Sequence, residues 1–75
     1  MAIRVIQESS GNLIISNQFG ETIQGYPYEF GSAELCALAG DLSLSPEEVG
    51  QAALIIGAAN PQRQAAALGV DFQKI

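Results

Sequence analysis

The sequence predicts an α+β fold: an N-terminal three-stranded antiparallel β-meander followed by two or three short helices packed on one face. Short β-branched runs between turn formers predict the strands, and helical periodicity after Gly31 predicts the helices. The 75 residues are predicted to form one domain. The meander occupies residues 1–31, the helical part residues 32–69, and a short tail residues 70–75.

The predicted strands are separated by two clusters of turn-forming residues. AIRVI and LIIS flank the first cluster, residues 8–12, and TIQGY follows the second cluster, residues 17–20. The alternation of side chains along a strand places Tyr26 and Tyr28 on one face of the third strand. Pro27 has no amide hydrogen, so this strand is expected to end there or to lie at the sheet edge.

Helix one is predicted over about residues 33–40. Ser32 is the expected N-cap and Gly40 the expected left-handed C-terminal cap. Cys36 falls within an apolar pattern at helical spacing and is predicted to be a small core residue, kept reduced as the single cysteine of the chain. The apolar positions of this pattern are Leu35, Leu38, Ala39 and Leu42.

Helix two is the most clearly specified element. Ser45 as N-cap, Pro46 at the first helical position and Glu48 two residues later predict a capping box. The helix is so rich in apolar residues that burial on more than one side is expected. Those residues are Val49, Ala52, Ala53, Leu54, Ile55 and Ile56.

A third helix and the tail follow. Asn60 and Pro61 can start a helix of about two turns, and Gly69 stops it. Val70 and Phe72 alternate with polar residues, so the tail is expected to form either a short strand or an extended segment.

Charge is scarce and predominantly acidic. Hydrophobic residues make up 48% of the chain and charged residues 15%, and the net charge is −5. Residues 32–50 contain four acidic side chains and no basic one. Nucleic-acid binding needs a basic patch, so direct binding to DNA or RNA is disfavoured. The uncharged remainder of the surface suits contact with another protein.

The pattern around residues 38–52 resembles a helix-turn-helix motif. Ala39 stands at the small position of the first helix, Ser43 at the turn position usually held by glycine, and Val49 at the branched apolar position beyond it. The resemblance implies a helical pair whose second helix would contact bases. That helix would present Glu47 and Glu48 to phosphates, so DNA binding is only an alternative.

The leading functional prediction is a small regulator or inhibitor that binds another protein. Its acidic helix surface consists of Asp41, Glu47, Glu48 and Gln51, and its aromatic edge strand carries Tyr26 and Tyr28. A phage or mobile-element product that blocks host machinery is one context that would suit such a compact acidic protein.

The alternative is a structural protein that self-assembles. Gly50, Ala53 and Gly57 form a strip of small residues on which another helix could approach closely. Glycine costs about 1 kcal/mol relative to alanine inside a helix, which indicates a packing reason for the strip. The neighbour is expected to be another helix of the same chain or a second subunit.

Enzymatic function is not expected. The chain has no histidine, and no serine or cysteine stands beside an evident activating base. No cofactor or metal is predicted. No apolar run reaches the length of a membrane helix, and no signal-peptide core is present at the start, so the sequence predicts a cytoplasmic protein.

Overall fold

The computed structural model of the protein describes residues 3–26 and 30–75. Three short strands precede three helices, and a fourth strand follows them. In chain order the elements are β1 (Arg4–Gln7), β2 (Leu13–Ser16), β3 (Thr22–Gly25), α1 (Ser32–Leu42), α2 (Pro46–Ile56), α3 (Pro61–Leu68) and β4 (Asp71–Lys74).

The four strands form one mixed sheet in the order β3-β2-β1-β4. β1 pairs antiparallel with β2 and β2 antiparallel with β3, as the predicted meander requires. β4 pairs parallel with β1, Val5 opposite Phe72. Of the two alternatives for the tail, the strand is therefore the one observed, and because it pairs parallel with β1 the sheet is mixed rather than a three-stranded antiparallel meander. An ion pair between Arg4 Nε and Asp71 Oδ2, 3.3 Å apart, joins the two strands at one end.

The helical layer carries the chain from one edge of the sheet to the other. α1 contacts β3 at one edge, α2 contacts both other helices, and α3 contacts β4 at the opposite edge. This path explains why the tail reaches β1 rather than β3. A parallel neighbour requires a long crossover connection, which the three helices supply.

The core lies between the helices and one face of the sheet. Alternation along the strands directs Val5, Leu13 and Ile15 to this face, and all three are fully buried. Their buried partners on the helices are Leu38, Leu42, Ala52, Ile55, Ile56 and Ala65. At the edge, Gly25 allows close approach of Phe30, since a Cβ there would lie 2.7 Å from the ring. The opposite face carries half-buried Ile6 and Ile14 outside this cluster.

Helix α1 differs from its prediction at both ends. Its N-cap is Gly31, whose amide donates to the Glu34 carboxylate at 2.9 Å, rather than Ser32. The helix passes through Gly40 and ends at Ser43, which has a left-handed φ of 51°. The two added residues extend the helix to Leu42, whose side chain is buried, and that burial outweighs the local cost of an internal glycine.

Cys36 is exposed, so its predicted place in the core was wrong. Leu35, Leu38 and Leu42 already form the inward-facing stripe of α1. A residue one step after Leu35 is rotated by about 100° around the helix and points away from the sheet.

The predicted caps of the other two helices are confirmed. Ser45 Oγ accepts from the Glu48 amide, and the Glu48 carboxylate accepts from the Ser45 amide, which completes the capping box of α2. Asn60 caps α3 through the Arg63 amide, and Gly69 ends it at a φ of 72°. The outer side of α2 is open, however, because Leu54 is 54% exposed. None of the helices in the described ranges has the length and apolar character needed to cross a membrane.

Candidate functional site

The connection between α1 and α2 brings two acidic helix ends together. Asp41 is in the last turn of α1, and Glu47 and Glu48 are in the first turn of α2. Only residues 43–45 separate the two helices. Ser43 takes the left-handed conformation expected of glycine at this position of a helix-turn-helix motif, and the Leu44 amide donates to the Ala39 carbonyl across the turn.

The acidic side chains of α2 have different roles. Glu48 is held in the capping box. The hydrogen bond from the Ser45 backbone amide lowers the pKa of its carboxyl group. Desolvation raises this pKa by less, and the Ser45 hydroxyl lowers it by a still smaller amount. The Glu47 side chain is exposed and makes no hydrogen bond or ion pair with another described residue. Gln51 is half-buried one turn further along, on the same side as Glu47. Glu47 is therefore the carboxylate of α2 that a partner can contact without disrupting the helix cap.

Asp41 is placed where the helix disfavours it. The exposed carbonyl groups at a helix C-terminus carry partial negative charge, and an acidic side chain there costs about 0.3–1 kcal/mol. Asp41 is exposed, and no basic residue lies in the last turn of α1. The position thus carries a negative charge that local stability does not explain.

Asn17 fastens the β2–β3 turn to the end of α1. Its side-chain amide nitrogen donates to the Leu42 carbonyl at 2.9 Å and to the Glu21 carboxylate at 2.8 Å. Its side-chain oxygen accepts from the amides of Phe19 and Glu21 at 2.9 and 3.1 Å. Because one amide nitrogen bonds both groups, the Glu21 carboxylate lies beside the C-terminus of α1. Asn17 itself is buried.

The same turn presents Phe19, which is 73% exposed. An open cleft of about 510 Å³ lies beside it, with Arg4 and Asp71 among its lining residues. Phe19 and Glu21 were missed as site residues. The available signal was an aromatic side chain inside a cluster of turn formers, where no strand or helix pattern accounts for burial.

Tyr26 lies away from these residues. It follows the last residue of β3, near the start of α1, whereas Asn17 holds the end of α1 against the turn that begins β3. Asp41 is nine residues along α1 from Ser32, which is about 14 Å along the helix axis. Tyr26 is 38% exposed. Tyr28 and Pro27 lie outside the described residues.

The glycine strip on α2 faces open space. A Cβ at Gly50 would meet nothing within 4 Å, and Gly50 and Gly57 are both exposed, while Ala53 is half-buried. Gly57 is the C-cap of α2 rather than an internal position. Within the described ranges no helix of the same chain approaches Gly50 closely. Exposed Leu54 lies next to the strip.

The acidic residues at the connection between α1 and α2 have no basic neighbour in the sequence. Residues 5–62 contain seven acidic side chains and no lysine or arginine. Where the structure describes the chain, no cluster of three histidine, cysteine, aspartate or glutamate side chains is arranged to hold a metal ion.

Comparisons with protein-family models, with curated proteins and with solved structures gave no match.

Proposed function

We propose that the protein is a small non-enzymatic regulator or inhibitor that binds another protein through the acidic end of its helical layer. The proposed contact surface, here called the acidic end, consists of Phe19, Glu21, Asp41, Glu47 and Gln51. The observation that carries the proposal is the position of Asn17, which holds an exposed aromatic turn against the acidic C-terminus of α1.

Charge supports a basic partner. Glu21, Asp41 and Glu47 are exposed and form no ion pair with another described residue, and Arg4, which lines the cleft beside Phe19, is paired with Asp71. A surface of one sign attracts the opposite sign over a Debye length and steers association. The partner is therefore expected to present lysine or arginine side chains around an apolar pocket.

Phe19 supports an anchored contact rather than diffuse attraction. An exposed aromatic side chain that enters a partner's pocket buries a large apolar area at little entropic cost. Four hydrogen bonds of Asn17 fix the turn that carries it, so little further order is lost on binding.

Asp41 supports a functional rather than structural role for the acidity. Its replacement by asparagine is expected to stabilise α1 slightly, because it removes a negative charge from a helix C-terminus. An acidic residue that lowers stability where it stands is explained by a contact outside the chain. The predicted role of Glu48 is narrower, since its carboxylate is already engaged by Ser45.

The test compares capture of a native partner by two double variants of equal net charge. Asp41→Asn with Glu47→Gln changes the acidic end, and Ser9→Lys with Gln62→Lys changes two exposed positions elsewhere by the same +2. The first variant is expected to weaken binding of the captured partner at least about tenfold, and the control to leave it nearly unchanged.

Phe19→Ala is expected to weaken the same binding without loss of the fold, because Phe19 is exposed. Circular dichroism and denaturant unfolding check that each variant is folded. Equal binding by the acidic-end variant, the Phe19 variant and the wild type would remove the proposal.

A self-assembling structural protein is the second candidate, favoured by one observation. Leu54 is 54% exposed beside Gly50, whose missing side chain leaves space that this chain does not fill. A second helix could pack there as in other close helix pairs. An oligomer held by this face is expected to dissociate when Leu54 is replaced by glutamine.

A further inference from the structure

We propose that the outer edge of β4 pairs antiparallel with β4 of a second copy, so that the sheets of the two copies join into one continuous sheet. The inference is independent of the acidic end and of the helix face of α2. Within the described residues β4 has a neighbour on one side only, β1. Exposed edge strands offer unpaired amide and carbonyl groups that can add another strand.

The register of β1 and β4 shows which backbone groups are free. Gln7 lies opposite Lys74, and the Ile75 amide donates to the Gln7 carbonyl at 2.9 Å. In a parallel ladder a residue bonds the two residues that flank its partner. Gln73 and Ile75 therefore direct their backbone groups toward β1, whereas Phe72 and Lys74 direct theirs toward the open edge.

These free groups favour one register for a symmetric antiparallel pair. If Gln73 lies opposite Gln73 of the second copy, Phe72 of each copy lies opposite Lys74 of the other, and all four outward groups of each β4 are bonded. Opposed residues share a face of the sheet, so the Lys74 side chain lies beside the partner's Phe72 ring. A register centred on Lys74 would oppose two like charges.

The distribution of charge favours a second copy at this edge. β1 and β4 together carry Arg4, Lys74 and Asp71, a sum of +1, in a chain whose net charge is −5. The remaining residues thus carry −6. Two acidic chains therefore repel each other least when they meet along this edge. Its one acidic side chain, Asp71, is already paired with Arg4. The contact is short, so a weak and concentration-dependent dimer is expected.

The test is sedimentation over a wide range of protein concentration, with two substitutions at one position. Lys74→Pro removes an amide that the sheet of one copy does not use, and is expected to raise the dimer dissociation constant at least about tenfold. Lys74→Arg keeps both the amide and the positive charge and is expected to retain the dimer. Leu54→Gln is also expected to retain it, because that side chain belongs to the helix face.

A chain that stays monomeric at every concentration would overturn the inference, as would a dimer unaffected by Lys74→Pro. If that variant fails to fold, amide exchange of the wild type decides. The amides of Phe72 and Lys74 are expected to gain protection as the concentration rises. Equal exchange at low and high concentration would overturn the pairing.

Discussion

Replacement of Asn17 by alanine should destabilise the protein far more than a typical polar-to-alanine change. The side chain is 7% exposed and makes four hydrogen bonds. The three partners of Asn17 in the turn can bond water instead when the side-chain amide is removed, so the loss of each of these hydrogen bonds costs about 0.5 kcal/mol. The hydrogen bond to the Leu42 carbonyl is buried, and its loss costs about 1–3 kcal/mol. The expected loss in free energy of unfolding is about 3 kcal/mol.

Asn12→Ala is the matched control. Asn12 has the same chemistry and is 8% exposed, yet its side chain makes a single hydrogen bond, to Glu8 at 3.0 Å. Its loss is expected to cost about 1 kcal/mol. Urea unfolding monitored by circular dichroism measures the free energy of unfolding of both variants. An unchanged dependence of this free energy on urea concentration shows that the folded and unfolded states remain comparable. Equal costs for the two variants would refute the assigned role of Asn17.

Two further predictions concern the helices. Because the Ser45 amide holds the pKa of Glu48 below its usual range, the stabilisation it contributes is present above the pKa of the unfolded chain and lost as the pH falls through the lower folded-state pKa. The cost of Glu48→Gln, about 0.3–1 kcal/mol at neutral pH, should therefore shrink on acidification, and a pH-independent cost in urea unfolding would contradict this. Cys36 should react with a soluble thiol reagent as fast in the folded protein as in denaturant, since it is exposed; strong protection by folding would show that α1 is rotated from its described orientation.

Several features that depend on neighbouring residues were predictable from the sequence, although the N-cap of α1 lies at Gly31 and not at Ser32. Ser45 and Glu48 are three positions apart and satisfy each other's backbone, whatever the rest of the chain does. Asn60 and Gly69 act in the same local way. The three antiparallel strands also followed from alternation and turn formers, because hairpins join segments that are close in sequence.

Features that depend on distant residues were not predictable. The pairing of β4 with β1 needs the path of three helices across the sheet, and the sequence of the tail alone equally fits an extended segment. Gly40 signals a helix end, but burial of Leu42 extends α1 past it. Cys36 matched an apolar pattern whose inward positions were already taken by the leucines of α1.

The candidate site shows the same division. Asp41, Glu47 and Gln51 could be grouped because a short turn joins their helices. The contribution of Phe19 and Glu21 depends on a hydrogen bond between residues 25 positions apart, Asn17 and Leu42, and no local pattern reports it. Tyr26, which was predicted to bind the partner together with the acidic residues, lies toward the other end of α1.

The most direct test of the proposed function is to map the contact surface by NMR, using labelled protein and the captured partner. The amide signals of residues 17–21 and of residues 41–51 should shift or broaden on binding, and added salt should reduce the changes because it screens the charged part of the contact. Changes confined to residues outside these two segments, with the acidic end unaffected at low salt, would contradict the proposed function.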